Sequence, residues 1–252
     1  MKYEKNYLTQ VIFQLNFSPI LKLDTSPGDF QEQIKEQFPH PKEGQEIKVK
    51  GSMSLKGDMK TDMSVESVRK RWMFFSEDES KSITIASNLF NLEYKKYQNL
   101  EATRKDFNSL WKIFQDLYHV ETLERVGLRY INQIVLPSGD PLDWREYIDE
   151  EIIAATLGVP TPADHRLCRS THATYWLDDD HRITFQFGIQ NSDFPNPLVK
   201  REFVLDYDCS SMGPTDASDA ENCLIRYNEL IDTLFELNIG NGLREDMGVI
   251  KH

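Results

Sequence analysis

Residues 103–118 carry six large apolar side chains, Phe107, Leu110, Trp111, Phe114, Leu117 and Tyr118, at i, i+3, i+4, i+7, i+10 and i+11. This spacing follows the helical period and gathers all six into one stripe. A helix greasy on one side needs an apolar floor, and the chain supplies one. In Val11-Ile12-Phe13-Gln14-Leu15-Asn16-Phe17 the residues Val11, Phe13, Leu15 and Phe17 share one face of a strand. One-sided helices among one-sided strands confine the chain to an α+β architecture. We expect antiparallel strands with two long amphipathic helices on one face. Thr103 or Asp106 is the expected N-terminal capping group of the helix.

The second helix is expected at 219–237, striped by Leu224, Tyr227, Ile231, Leu234 and Phe235. At an offset of 117, Phe107, Leu110, Phe114, Leu117 and Tyr118 fall on those five, while Trp111 falls on Asn228. Leu92-Glu93-Tyr94 matches Leu205-Asp206-Tyr207 in kind, which suggests an internal two-fold repeat. Its halves are read as 1–136 and 137–252, either as two domains or within one continuous domain. Further strands are expected at 72–75, 124–136, 173–177, 182–189 and 201–207, with one strand running from Ile83 to Tyr94 after an acidic turn at 76–81. Short helices are expected at 29–38, ended by Pro39 and Pro41, and at 142–153 around Trp144, Ile148 and Ile152. The polar stretch 40–71 reads either as hairpin strands or as a mobile excursion. The strand holding Arg125 and Arg129 is expected to lie centrally.

Composition narrows the function. Lys+Arg number 29 against 41 Asp+Glu, a formal charge of −12, which disfavours nucleic acid or an anionic membrane as the main partner. No apolar run approaches the roughly 20 residues that span a bilayer. No signal-peptide pattern opens the chain, and the three cysteines, Cys168, Cys209 and Cys223, form no C-x-x-C pair. Reduced thiols and a cytoplasmic location are therefore expected.

The segment Arg125-Val126-Gly127-Leu128-Arg129-Tyr130-Ile131-Asn132 is the leading candidate site. On a strand, Arg125, Gly127 and Arg129 point one way, so two planar donor forks flank a glycine that permits close approach. Such a pair can clamp an anionic ligand or a partner protein. It can equally pair with carboxylates on neighbouring strands and hold the sheet together. The expected ligand-binding set is Arg125, Arg129, Tyr130 and Asn132, with Arg244 nearby, in a groove between the halves. The expected function is that of a non-enzymatic binding or adaptor protein with no cofactor and no metal.

The competing reading is a metal-dependent hydrolase or nuclease built on Asp78, Glu93 and Lys95, which fit a loose D…E-x-K pattern. Asp178-Asp179-Asp180-His181 has metal-ligand chemistry but reads as a solvated hairpin tip. His165, Cys168 and His172 lack a third orienting residue for nucleophilic catalysis. The phosphate-binding, dinucleotide and common hydrolase motifs are absent from the sequence.

The R-V-G-L-R-Y-I-N-Q-I run at 125–134 and the Leu243-Arg244-Glu245-Asp246-Met247-Gly248 tail resemble an uncharacterised bacterial family of proteins of about this length. Its members share an R-x-G-L-R-Y-I-N core and a closing L-R-x-x-M-G. The resemblance extends to the tryptophan strand at 72–75, the long central helix and the L-D-Y strand at 205–207. One departure is Asn238-Ile239-Gly240-Asn241, where a capping run such as I-T-D is expected before the tail. The resemblance implies a shared fold and a bacterial origin and carries no activity. The family's sporadic occurrence is compatible with defence-associated or mobile genes.

Overall fold

The computed structural model describes residues 3–25, 27–54, 60–160 and 162–249, with backbone only over 46–54 and 60–69. In chain order the elements are β1 (Leu8–Phe17), α1 (Lys22–Thr25), α2 (Gly28–Ile34), β2 (His40–Ser54), β3 (Lys60–Phe75), β4 (Lys81–Ala86) and β5 (Leu89–Tyr94). Then come α3 (Leu100–Tyr118), β6 (Thr122–Leu136), α4 (Glu150–Leu157), β7 (Ser170–Leu177), β8 (His181–Ile189), β9 (Arg201–Ser211), β10 (Thr215–Asp216), α5 (Ala220–Asn238) and α6 (Asn241–Met247).

All the strands join one antiparallel sheet in the order β2-β3-β4-β5-β1-β6-β9-β8-β7, with β10 on β6. The sheet is continuous across residue 136, because β6 pairs with β9 from Gly127 to Leu136. β6 lies centrally, between β1 and β9, as expected of a strand that follows one half of the chain and feeds the next.

Strand alternation divides the side chains between two faces. Val11, Phe13, Leu15 and Phe17 of β1 lie level with Tyr130, Leu128, Val126 and Leu123 of β6, and all are buried. The helices cover this face. Phe107 of α3 meets Phe13 edge-on at 4.8 Å, and Phe114 packs on Phe17, Phe30 and Phe90. Farther along, Phe185 stacks on Tyr207 at 4.6 Å, and α5 lies over β6 and β9. The edge-to-face contacts suit the ring quadrupoles and add to the burial that holds the layer together.

Several boundaries differ from the expected ones. The strand read from Ile83 to Tyr94 is two strands, because Ser87 and Asn88 form a two-residue turn between β4 and β5. The cap of α3 is Asn99, whose side chain accepts from the Ala102 amide at 2.9 Å, and not Thr103 or Asp106. The helix expected at 142–153 begins only at Glu150, where the Asp149 carboxylate accepts from the Glu151 amide. Trp144 precedes it, wholly buried, with its indole N–H donating to Pro141 O. Across the 40–71 stretch β2 and the paired part of β3 run antiparallel as expected hairpin strands, and residues 55–59 lie outside the described residues. At Asn238–Asn241, where a capping run was expected, α5 stops and α6 begins.

Candidate functional site

The face opposite the helices is lined by the other half of the same strands. One row runs from Glu93 on β5 through Ile12 on β1, Arg129 on β6 and Asp208 on β9 to Thr184 on β8. The next runs through Asn91, Gln14, Gly127, Ser210 and Arg182. Among the described strand side chains of this face, Glu93, Glu202, Asp206 and Asp208 are set against Lys42, Arg71, Arg125, Arg129 and Arg182, so it is close to neutral in a chain of net charge −12.

At its centre Arg129 lies level with Asp208 yet turns diagonally to Asp206. Nε donates to Oδ1 at 2.8 Å and Nη2 to Oδ2 at 2.6 Å, a bidentate fork. The Asp206 carboxylate thereby holds the Arg129 guanidinium above its ordinary pKa. Asp206 is nearly buried beneath it, whereas the Arg129 side chain is 38% exposed. Arg125 donates through Nη2 to both Asp208 oxygens, at 3.1 and 3.3 Å. Its guanidinium lies over Gly127, where a Cβ would collide with Nη1, so a side chain at 127 would lift the guanidinium away. Arg129 Nη1 and Arg125 Nε and Nη1 carry no hydrogen bond among the described residues. On the other side of β1, Gln10 Nε2 donates to Glu93 Oε1 at 2.6 Å. Nearby, Asn91 Oδ1 is buried with no partner among the described residues.

The five expected ligand-binding residues do not share a site. Arg125 and Arg129 lie on the open face, whereas Tyr130 and Asn132 point into the helix-covered core because alternate residues of a strand face opposite ways. Tyr130 OH donates to Asn228 Oδ1 at 2.6 Å and lies 3.0 Å from Tyr97 OH, and burial raises its phenol pKa well above the ordinary value. Asn132 Nδ2 donates to Leu205 O at 3.4 Å. Arg244 sits on α6 and donates to the Glu236 carboxylate and backbone oxygen, on the helix side of the molecule. No groove between the halves gathers all five.

Two of the three residues of the competing reading, Asp78 and Glu93, are committed locally. Asp78 accepts from the Ser76 and Ser80 hydroxyls and the Ser80 amide, and those bonds hold its carboxyl at about 2. Glu93 is engaged by Gln10, and Lys95 is exposed beyond the end of β5. Among the described residues, no group of three or more His, Cys, Asp or Glu could hold a metal ion. Asp178 caps its own hairpin, accepting from the Asp180 and His181 amides. His172 stacks on Phe187, and His165 is exposed against Ala163 O. A cleft of about 890 Å³ lies between the C-terminal end of α3 and the start of α5. Two of its lining carboxylates are already engaged, Asp216 by Ser218 and Glu221 by Arg104.

Sequence reasoning found the arginines but missed their place in a whole face. Asp206 and Asp208 were legible as alternating acidic residues on a strand, yet nothing local said that this strand lies beside β6. No helix among the described residues is long and apolar enough to cross a membrane. No protein-family model matches the chain, and no curated protein matches it.

Proposed function

We propose that this chain is a non-catalytic binding protein and that the open face of its sheet receives a partner protein. The observation that carries this is the state of the central arginines: Arg125 and Arg129 are fixed, partly exposed and already charge-matched, with N–H groups that carry no hydrogen bond among the described residues. A free anion must compete with Asp206 and Asp208 for them. A protein surface can add acceptors to the unused donors while its own donors meet Gln14 and the part-exposed Asp208 carboxylate. Fixed side chains also lose little rotamer freedom on binding.

The internal duplication belongs to the same reading. Each half would run strand, short helix, antiparallel strands and long helix: β1, α2, β3, β4, β5, α3, then β6, α4, β7, β8, β9, α5. The register supports it, since Val11 lies opposite Tyr130, and these two are flanked by Tyr94 and Tyr207 respectively. On this reading Gln10–Glu93 and Arg129–Asp206 are counterparts, one neutral donor and one charged donor on matching carboxylates. The second half then begins just before β6 and not at residue 137.

The test is affinity capture from the source organism, followed by binding measurements on the purified pair. Gln14→Lys and Thr184→Lys, on the open face, should each weaken binding about tenfold or more, the scale of a central interface change. A protein bound equally well by both variants would overturn the reading. A thermal-shift screen of small anions provides the contrast. Stabilisation by one of them that is lost in Arg125→Ala would assign the face to a small ligand instead.

A further inference from the structure

The sheet ends in two edges of different make. At one, β2 carries Pro41, Lys42 and Glu43 among its first four residues, the kinds of residue that discourage a further strand. At the other, β7 (Ser170–Leu177, STHATYWL) holds no Asp, Glu, Lys, Arg or Pro. It pairs with β8 alone, and among the described residues the outer side of its backbone has no strand partner. Tyr175, Trp176 and Leu177 are 65%, 41% and 66% exposed along it.

The charges lie just beyond the ends of the strand and are of opposite sign. Arg166 and Arg169 precede it, and Asp178, Asp179 and Asp180 follow. Arg169 is held by neutral groups: Nε donates to Gln190 O at 2.6 Å, Nη2 to Asn191 O at 3.4 Å, and the guanidinium lies 4.3 Å from the Phe194 ring centre. Its charge is therefore fixed in place without a carboxylate partner among the described residues. Asp179 is exposed at the hairpin tip.

We propose that β7 pairs antiparallel with β7 of a second copy of this chain, about a two-fold axis perpendicular to the sheet. Such an axis keeps every residue on its own face, so each pairs with a residue of the same parity. Centred on Thr174, it sets Ala173 opposite Tyr175, Thr171 opposite Leu177 and Arg169 opposite Asp179. Each large exposed side chain on the open face then lies across from a small one. The basic flank of each copy meets the acidic tip of the other, twice by symmetry. That self-complementarity selects a second copy over an unrelated strand. It also brings the copies together at a neutral strand, where the repulsion between two chains of net charge −12 is least focused. The sheet then continues across the axis, with both sets of helices on one side and both open faces on the other.

Sedimentation of the full chain over a concentration series tests this. We expect a dimer that Asp179→Arg weakens about tenfold or more, since two symmetric ion pairs become repulsions. Arg169→Asp should do the same, and the double exchange Arg169→Asp with Asp179→Arg should restore the dimer. Tyr175→Lys should give monomer with an unchanged circular-dichroism spectrum. Should Arg169→Asp fail to fold because Gln190 and Asn191 lose their donor, Asp179→Arg and Tyr175→Lys still decide the matter. A wild-type chain that stays monomeric at every soluble concentration overturns the proposal, as does a dimer indifferent to both of those changes. A monomer that instead takes up an extended peptide along β7 also overturns it and assigns the edge to a different partner.

Discussion

The two faces of this sheet are made by the same strands, one residue apart, and they are held by different forces. On the covered face, Phe13, Tyr130 and Tyr207 are buried under α3 and α5, and the stabilisation is removal of apolar surface from water. On the open face, Arg129, Asp206, Gln10 and Glu93 are held by direct hydrogen bonds between neighbouring strands. The first face makes the fold. The second is ordered without being covered, which makes it fit to meet something else.

That contrast can be broken at either face. Phe114→Ala removes a ring packed among Phe17, Phe30 and Phe90 and should cost about 3–5 kcal/mol in chemical denaturation, through lost burial and the cavity left behind. Arg129→Ala should cost less, about 1–3 kcal/mol, because it leaves the nearly buried Asp206 carboxylate without its bidentate donor. If it costs as much as Phe114→Ala, the open face is structural core and the division fails. Gly127→Ala should cost under about 1 kcal/mol, since it displaces the Arg125 guanidinium from a partly exposed pair with Asp208. Its larger effect is expected on partner binding. The least invasive measurement uses the cysteines. Burial pushes the Cys209 thiol up to about 12 and raises Cys223 as well, so alkylation of the native protein at pH 8 should spare both until the chain unfolds. Rapid labelling of Cys209 would show that the covered face is wet.

Much of the covered face was legible in the sequence because periodicity is local. The stripe of α3 and the alternation of β1 each lie within about three turns or one strand, and each names its buried residues directly. The open face was legible only in part. Gly127 between Arg125 and Arg129 marked a close approach, and pairing with carboxylates on neighbouring strands was the alternative already written into that segment. The identity of those carboxylates depends on β6 lying beside β9, a contact between residues 77 positions apart for Arg129 and Asp206. Tyr130 and Asn132 were grouped with the arginines because they are adjacent in sequence, although adjacent strand residues point apart. The Asn99 cap was overlooked for a related reason: the apolar stripe begins only at Phe107, while the helix starts a turn and more earlier.

The place of β1 has a consequence for how the chain is made. Synthesis delivers β1 first, yet its two neighbours come much later, β5 at Leu89–Tyr94 and β6 at Thr122–Leu136. A nascent chain that has completed β5 can dock one flank of β1, while the other stays bare until Leu136 has left the ribosome. For that interval the future middle of the molecule is a sticky border, open to neighbouring chains and to chaperones. The slow, error-prone stage of folding is therefore expected at the seam between β1 and β6, and translation pauses before residue 136 should lower the yield of native protein.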